Sequence, residues 1–139
     1  MASTSTYLRT AELNHLTQGA AFPSAPANLY VSLHTADPTR AGTIAEVTTT
    51  VRVAGRPSIA ATNWSAVAVI AAGVLETSNT AAIDFGNSAN VVASVTHFGL
   101  WDAASGGNFL EGAALPAPIA IAAGSPVAVP IGFARIQRL

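Results

Sequence analysis

Three histidines and three aspartates, His15, His34, His97, Asp37, Asp84 and Asp102, are the residues in this chain whose types suit proton transfer or metal binding. The spacings are His34 to Asp37 and His97 to Asp102, and each pair brackets the end of an apolar run. If the two runs pair as neighbouring strands, a His/Asp cluster forms of the kind a metal ion or a general base needs. Against this, there is no HExxH, no GxSxG, no phosphate-binding loop and no closely spaced carboxylate pair. A histidine on the polar side of a strand followed by an aspartate in a turn is more often a satisfied structural pair. The chain has no cysteine, which removes disulfides, thiolate nucleophiles and zinc–sulfur sites. Trp64 and Trp101 offer an aromatic platform, but no basic residues interleave with them as a nucleic-acid surface requires. Gly106-Gly107 lacks the following helix and lysine of a phosphate cradle and reads as a hairpin loop. No cofactor, metal or catalytic residue is expected.

The elements that would position these residues are strands. Residues 29–38, LYVSLHTADP, alternate Leu29, Val31 and Leu33 with Tyr30, Ser32 and His34, the pattern of a half-buried strand. Asp37-Pro38 ends it, since Pro38 has no N–H to give and the Asp37 carboxylate accepts from nearby amides. Residues 91–102 form a second long strand, with residues 108–115 as its hairpin partner across residues 103–107. Asp37, Pro38, Asp102, Gly106, Gly107 and Asn108 are therefore expected to build turns and caps. Shorter strands are expected over residues 64–71 and 74–77 about Ala72-Gly73, over 81–85 before a Gly86-Asn87 turn, and over 119–121 and 127–133 about residues 123–126. Residues 51–62 read as extended, with Pro57 marking an edge or a bulge. Residues 39–50 form a loop that carries Arg40 and Glu46.

One helix is expected, over residues 4–18, with hydroxyl caps in residues 3–6, an apolar side of Leu8, Ala11, Leu13 and Leu16, and Gly19 as its stop. Nothing alternates helix with strand, so a parallel α/β fold is not expected. The fold class is mainly β: an antiparallel sandwich or barrel, jelly-roll-like, with one short N-terminal helix. The 139 residues suit a single domain, a helical arm over 1–19 followed by a β-sandwich over 29–139.

Composition points to protein contacts. Charged residues make up 9% of the chain against about a quarter in an ordinary soluble domain, and the net charge is −1. So few charges leave little to hold copies apart. All six basic residues are arginine, at 9, 40, 52, 56, 135 and 138, which favours desolvated protein interfaces over nucleic acid. No stretch approaches the length of a membrane span and no export signal is expected. Leu8, Leu16, Arg40, Glu46, Arg52, Arg56, Trp101, Arg135 and Arg138 are the candidate partner-facing residues. The last residues, with Arg135, Gln137 and Arg138 alternating with Ile136 and Leu139, are expected to finish as a strand.

LYVSLHTADP with Gly42 and Glu46-Val47, and VTHFGLWDAASGGN over residues 95–108, resemble a family of small tailed-bacteriophage virion proteins, described as tail-fibre-like or minor structural proteins. The family pattern also has a Tyr-Ala-Arg step, from which this chain departs: Arg52 and Arg56 compete for its arginine. The resemblance implies a non-enzymatic virion building block, assembled in the host cytoplasm and present in many copies. Its first implied role is a capsid decoration or cement protein, a homotrimer bound to the major capsid protein. A tail or tail-fibre component is the alternative, and a carbohydrate-binding module built on Trp101, Asp102 and Asn108 is the rival from another class.

Overall fold

The computed structural model describes residues 2–47 and 55–139. A two-residue strand β1 (Ser3–Thr4) leads into helix α1 (Thr6–Gln18), followed by β2 (Asn28–His34), β3 (Ser58–Ala60), β4 (Ala68–Ala71), β5 (Val74–Ser78), β6 (Ile83–Asn87), β7 (Val92–Trp101), β8 (Phe109–Ile121), β9 (Pro126–Val129) and β10 (Arg135–Arg138). They form three antiparallel sheets, ordered β1-β8-β7-β2-β3, β10-β5-β4 and β6-β9. The chain is thus mainly β with one short N-terminal helix, as its alternation and sparse helix signals require, but none of the three sheets closes into a barrel.

Register decides which side chains share a face. Val31 lies opposite Leu100 and Leu33 opposite Phe98, while Ser32 lies opposite Gly99 and His34 opposite His97. The first set enters the apolar core, where Val31, Leu33, Phe98 and Leu100 pack with Ile83 and Phe85 of β6 and Val127 and Val129 of β9. The second set faces the other way and is also buried: Ser32 and His34 expose 2% and 0% of their surface. The half-buried strand expected over residues 29–34 is therefore covered on both faces at its C-terminal end.

Several strand limits differ from those expected. β8 runs for 13 residues through Pro116 and Pro118, where a break was expected after residue 115. The prolines are tolerated because the ladder is irregular there: Val95 faces Ile119 and His97 faces Ala114, so five residues of β8 advance against two of β7. Gly86 and Asn87 are not a turn but the end of β6, at a register shift after Asp84. The strand expected over 127–133 stops at Val129, and β10 is a separate strand that pairs with β5. β3 is the edge of the large sheet, which accommodates the preceding Pro57, whose carbonyl accepts from Val31 N. The part of the expected 51–62 strand before Gly55 lies outside the described residues.

Helix α1 starts at Ser5, whose hydroxyl accepts from Leu8 N, and stops at Gly19 in the left-handed conformation. It buries none of its residues, and Leu13 and Leu16 are 60% and 72% exposed. Its attachment lies at its N-terminal end, where buried Ser5 donates its N–H to Leu110 O.

Candidate functional site

The second face of β2 and β7 holds a connected group of buried polar side chains. His34 Nδ1 lies 2.7 Å from Ile44 O. A carbonyl only accepts, so Nδ1 carries the proton and the neutral ring's Nε2 is an acceptor. Nε2 lies 2.7 Å from Ser32 Oγ, which in turn receives Trp101 Nε1–H at 2.9 Å. The proton order is thus Trp101 to Ser32 to His34 to Ile44, and each of these buried atoms has its partner. Burial holds the His34 imidazole below its ordinary value; Arg56 and His97 push the same way, while the Ile44 hydrogen bond and the Glu46 charge oppose.

Arg56 closes the group. Its Nε and Nη2 bind Glu46 Oε1 and Oε2 at 2.8 and 3.1 Å, its guanidinium carbon sits 3.6 Å from the Trp101 ring centroid, and Nη1 donates to Gly106 O at 3.0 Å. One side chain therefore joins residues 44–47, the end of β7 and the turn after it. Of the two arginines that compete for the family position, Arg56 has this contact with Glu46; Arg52 lies outside the described residues. Residues 45–47 return alongside the end of β2, bridging to it through Thr35 N to Ala45 O and Val47 N to Leu33 O, and the loop before them lies over the sheet where Pro38 meets Gly112.

Glycines give the cover its close fit. A Cβ on Gly99 would lie 2.6 Å from Ser32 Oγ and 2.9 Å from Phe109 Cε2, and one on Gly112 would lie 2.6 Å from Pro38 Cγ. Phe109 and buried Pro38 thus occupy space that only glycine leaves free. Ser32, Gly99, Phe109 and Gly112 were not expected to share one site. The available signal was a pair of glycines inside strands, which marks a close approach by another group.

This arrangement does no chemistry. A Ser–His nucleophile needs an accessible hydroxyl and a group that stabilises the imidazolium; here Ser32 is buried beneath Trp101 and the histidine's second nitrogen meets a carbonyl. The expected His/Asp cluster does not assemble. β2 and β7 do pair, but antiparallel: Asp37 follows His34 at one end and Asp102 follows Trp101, opposite Tyr30, at the other. His97 bonds Thr96 Oγ1 at 2.8 Å, and His15 bonds Ala20 O at 2.8 Å. No group of three or more metal-ligating side chains occurs among the described residues.

The remaining candidate residues fall in separate places. Asp37 Oδ1 accepts from Thr39 N at 2.7 Å. Asp102 accepts from Asn108 N and Nδ2, both at 2.7 Å, and Gly106 and Gly107 complete that turn with positive φ. Trp101, Glu46 and Arg56, expected among partner-facing residues, use their side chains inside the fold. With Trp101 buried, the carbohydrate-binding reading loses its platform. Arg40 is exposed, and its carbonyl accepts from Thr6 N. Arg135 Nε donates to Gly132 O, and Arg138 pairs with Glu111, a buried carboxylate that also accepts from Thr4 Oγ1 at 3.2 Å. Glu111 thereby ties β1 and β10 to β8. Leu8 is half-buried and borders an apolar cleft of about 400 Å³.

A family model described as podophage GP4 fiber I protein gp80 matches residues 3–137. The chain belongs to the Gp80 family. No curated protein matches it. As a Gp80 member the chain is a non-enzymatic bacteriophage structural protein of the virion, which agrees with a polar group whose every side chain is spent on packing. No helix among the described residues is long and apolar enough to cross a membrane.

Proposed function

We propose that this Gp80 protein is a subunit of the podophage tail fibre, acting through contacts with further copies of itself and with other virion proteins. The observation that carries the reading is the fibre-family match over residues 3–137. The surface supports it: on a chain with 9% charged residues, Leu13, Leu16, Val67, Val69 and Val91 each expose well over half of their area. Capsid decoration, with the major capsid protein as partner, takes second place, because the family description names a fibre. A sandwich-like β module over residues 29–139, carrying residues 1–19 as an arm and associating as a trimer, fits a fibre subunit, and assembly would take place in the host cytoplasm.

The test is to disrupt purified particles, separate heads from tails and detect the chain in each fraction. The fibre reading expects it in the tail fraction. Recovery with heads would move the assignment to capsid decoration.

A further inference from the structure

Residues 35–47 form a strap beside and over the end of β2 that is held by few buried groups. Within it only Pro38 and Gly42 are buried, Pro38 against Gly112 and Gly42 against Phe109. Thr39 and Ala45 hold left-handed backbone, at φ 56 and 54, without a glycine's freedom to do so. Such angles persist only where surrounding contacts impose them, and lifting the strap would relieve both. The apolar core lies on the opposite face of β2 and β7, and of the strap only Val47 packs against it. A mostly exposed, strained segment outside the core has the character of a unit that opens locally while the rest stays folded.

His34 fastens this strap, and it does so only as a neutral ring. Its Nδ1–H donates to Ile44 O, between the strap's two backbone bonds to β2. A protonated imidazole carries a hydrogen on both nitrogens. Nε2–H would then meet Ser32 Oγ, which already accepts from Trp101, and the Ser32 proton would lose the acceptor it has in Nε2. The surroundings offer the charge little else. Glu46 bridges to His34 from the strap, but both its oxygens are bound by Arg56. Arg56, before β3, and His97, opposite on β7, add positive charge on a third and fourth side, while β8 presents Gly112 there. Asp37 and Arg40, the other charged groups of the strap, are exposed. Burial accordingly holds the ring neutral, with Arg56 and His97 acting in the same sense.

We propose that residues 35–47 are an acid-released strap, which lifts from the Ser32/Trp101 face when His34 takes up a proton while the apolar core beneath stays folded. Lifting brings water to the imidazole, so the open form binds a proton that the closed form refuses. The sign follows: the strap is fully held above the ordinary histidine value of about 6.5 and is loosened as pH falls below it, by up to about tenfold in the opening equilibrium per pH unit. This device does not depend on the fibre assignment and would operate in a capsid-bound protein as well.

Hydrogen exchange of the full chain, read by mass spectrometry at pH 7.5 and pH 5 and corrected for the intrinsic pH dependence of exchange, tests this. That window lies above the ordinary carboxylate values, so histidines are what titrate in it. Protection of peptides from residues 35–47 should fall about fivefold or more on acidification, yet stay far below that of peptides from β7 at both pH values. In His34→Gln the strap's protection should no longer depend on pH. Should that variant fail to fold, His15→Gln/His97→Gln leaves His34 as the sole histidine and should keep the fall. Strap protection independent of pH, a fall that survives His34→Gln or vanishes in the His15/His97 variant, or equal protection of strap and β7, which would make the opening global, would each overturn the proposal.

Discussion

Removing one hydroxyl should unsettle the whole covered face of β2. In Ser32→Ala, Trp101 Nε1 loses its acceptor and His34 Nε2 loses its donor, and both residues are buried. Each orphaned buried atom costs about 1–3 kcal/mol, so the substitution should cost about 2–6 kcal/mol, although alanine differs from serine by a single oxygen. With an unfolding entropy near 2.1 cal/mol/K per residue over 139 residues, a loss of about 3 kcal/mol lowers Tm by roughly 10 °C. Urea unfolding followed by tryptophan fluorescence, at one fixed protein concentration because association would add to stability, gives the free energy directly. The double variant Ser32→Ala/Trp101→Phe isolates the cause. With the indole N–H already absent, Ser32→Ala should cost about 1–3 kcal/mol less than it does in the parent. A Ser32→Ala protein within about 0.5 kcal/mol of the parent, a change typical of unremarkable surface sites, would refute the proton order assigned to this group.

Four further outcomes follow from the same geometry. His34 has its folded value lowered by burial, so the unfolded chain takes up the proton first; stability should be level above about pH 7 and fall as pH drops below roughly 6.5, and His34→Gln should flatten that slope in pH-dependent unfolding curves. Asp102→Ala should cost about 1–2 kcal/mol in the same assay and Asp37→Ala less, since Asp102 accepts two hydrogen bonds and Asp37 one; equal effects would contradict the accounting. Arg56→Lys keeps the charge but loses the two-pronged contact with Glu46 and the flat stack on Trp101, for a loss of about 1–2 kcal/mol by thermal denaturation. Leu13→Gln/Leu16→Gln, at exposed helix positions, should leave stability within about 0.5 kcal/mol; a larger loss would mean that the helix packs on the sheet.

The alternation in LYVSLH located β2, and the run of hydroxyl caps over residues 3–6 together with Gly19 bounded the helix to within two residues, because these signals are local. Turn chemistry was equally legible at Asp37 and Asp102, where a carboxylate reaches an amide close along the chain. Side-chain alternation could not say that the polar face of β2 is buried too, since that depends on residues 35–47 returning over it. Gly99 and Gly112 hinted at that cover, but only the register set them beneath Phe109 and Pro38. The prolines of β8 suggested a strand end because a bulge that absorbs them is set by the facing strand. The His/Asp cluster failed for a different reason: in the antiparallel pairing that the fold class already called for, Asp37 follows His34 at one end of the β2–β7 ladder and Asp102 follows Trp101 at the other. Arg56 was visible only as one of two arginines until Glu46 and Trp101 came to flank it.

Placement in the virion tests the central claim most directly. Intact phage particles should be imaged by electron microscopy after labelling with a gold-conjugated antibody raised against this chain. A fibre subunit predicts gold at the tail fibres and bare capsid faces. Gold distributed over the capsid, with unlabelled fibres, would contradict the account.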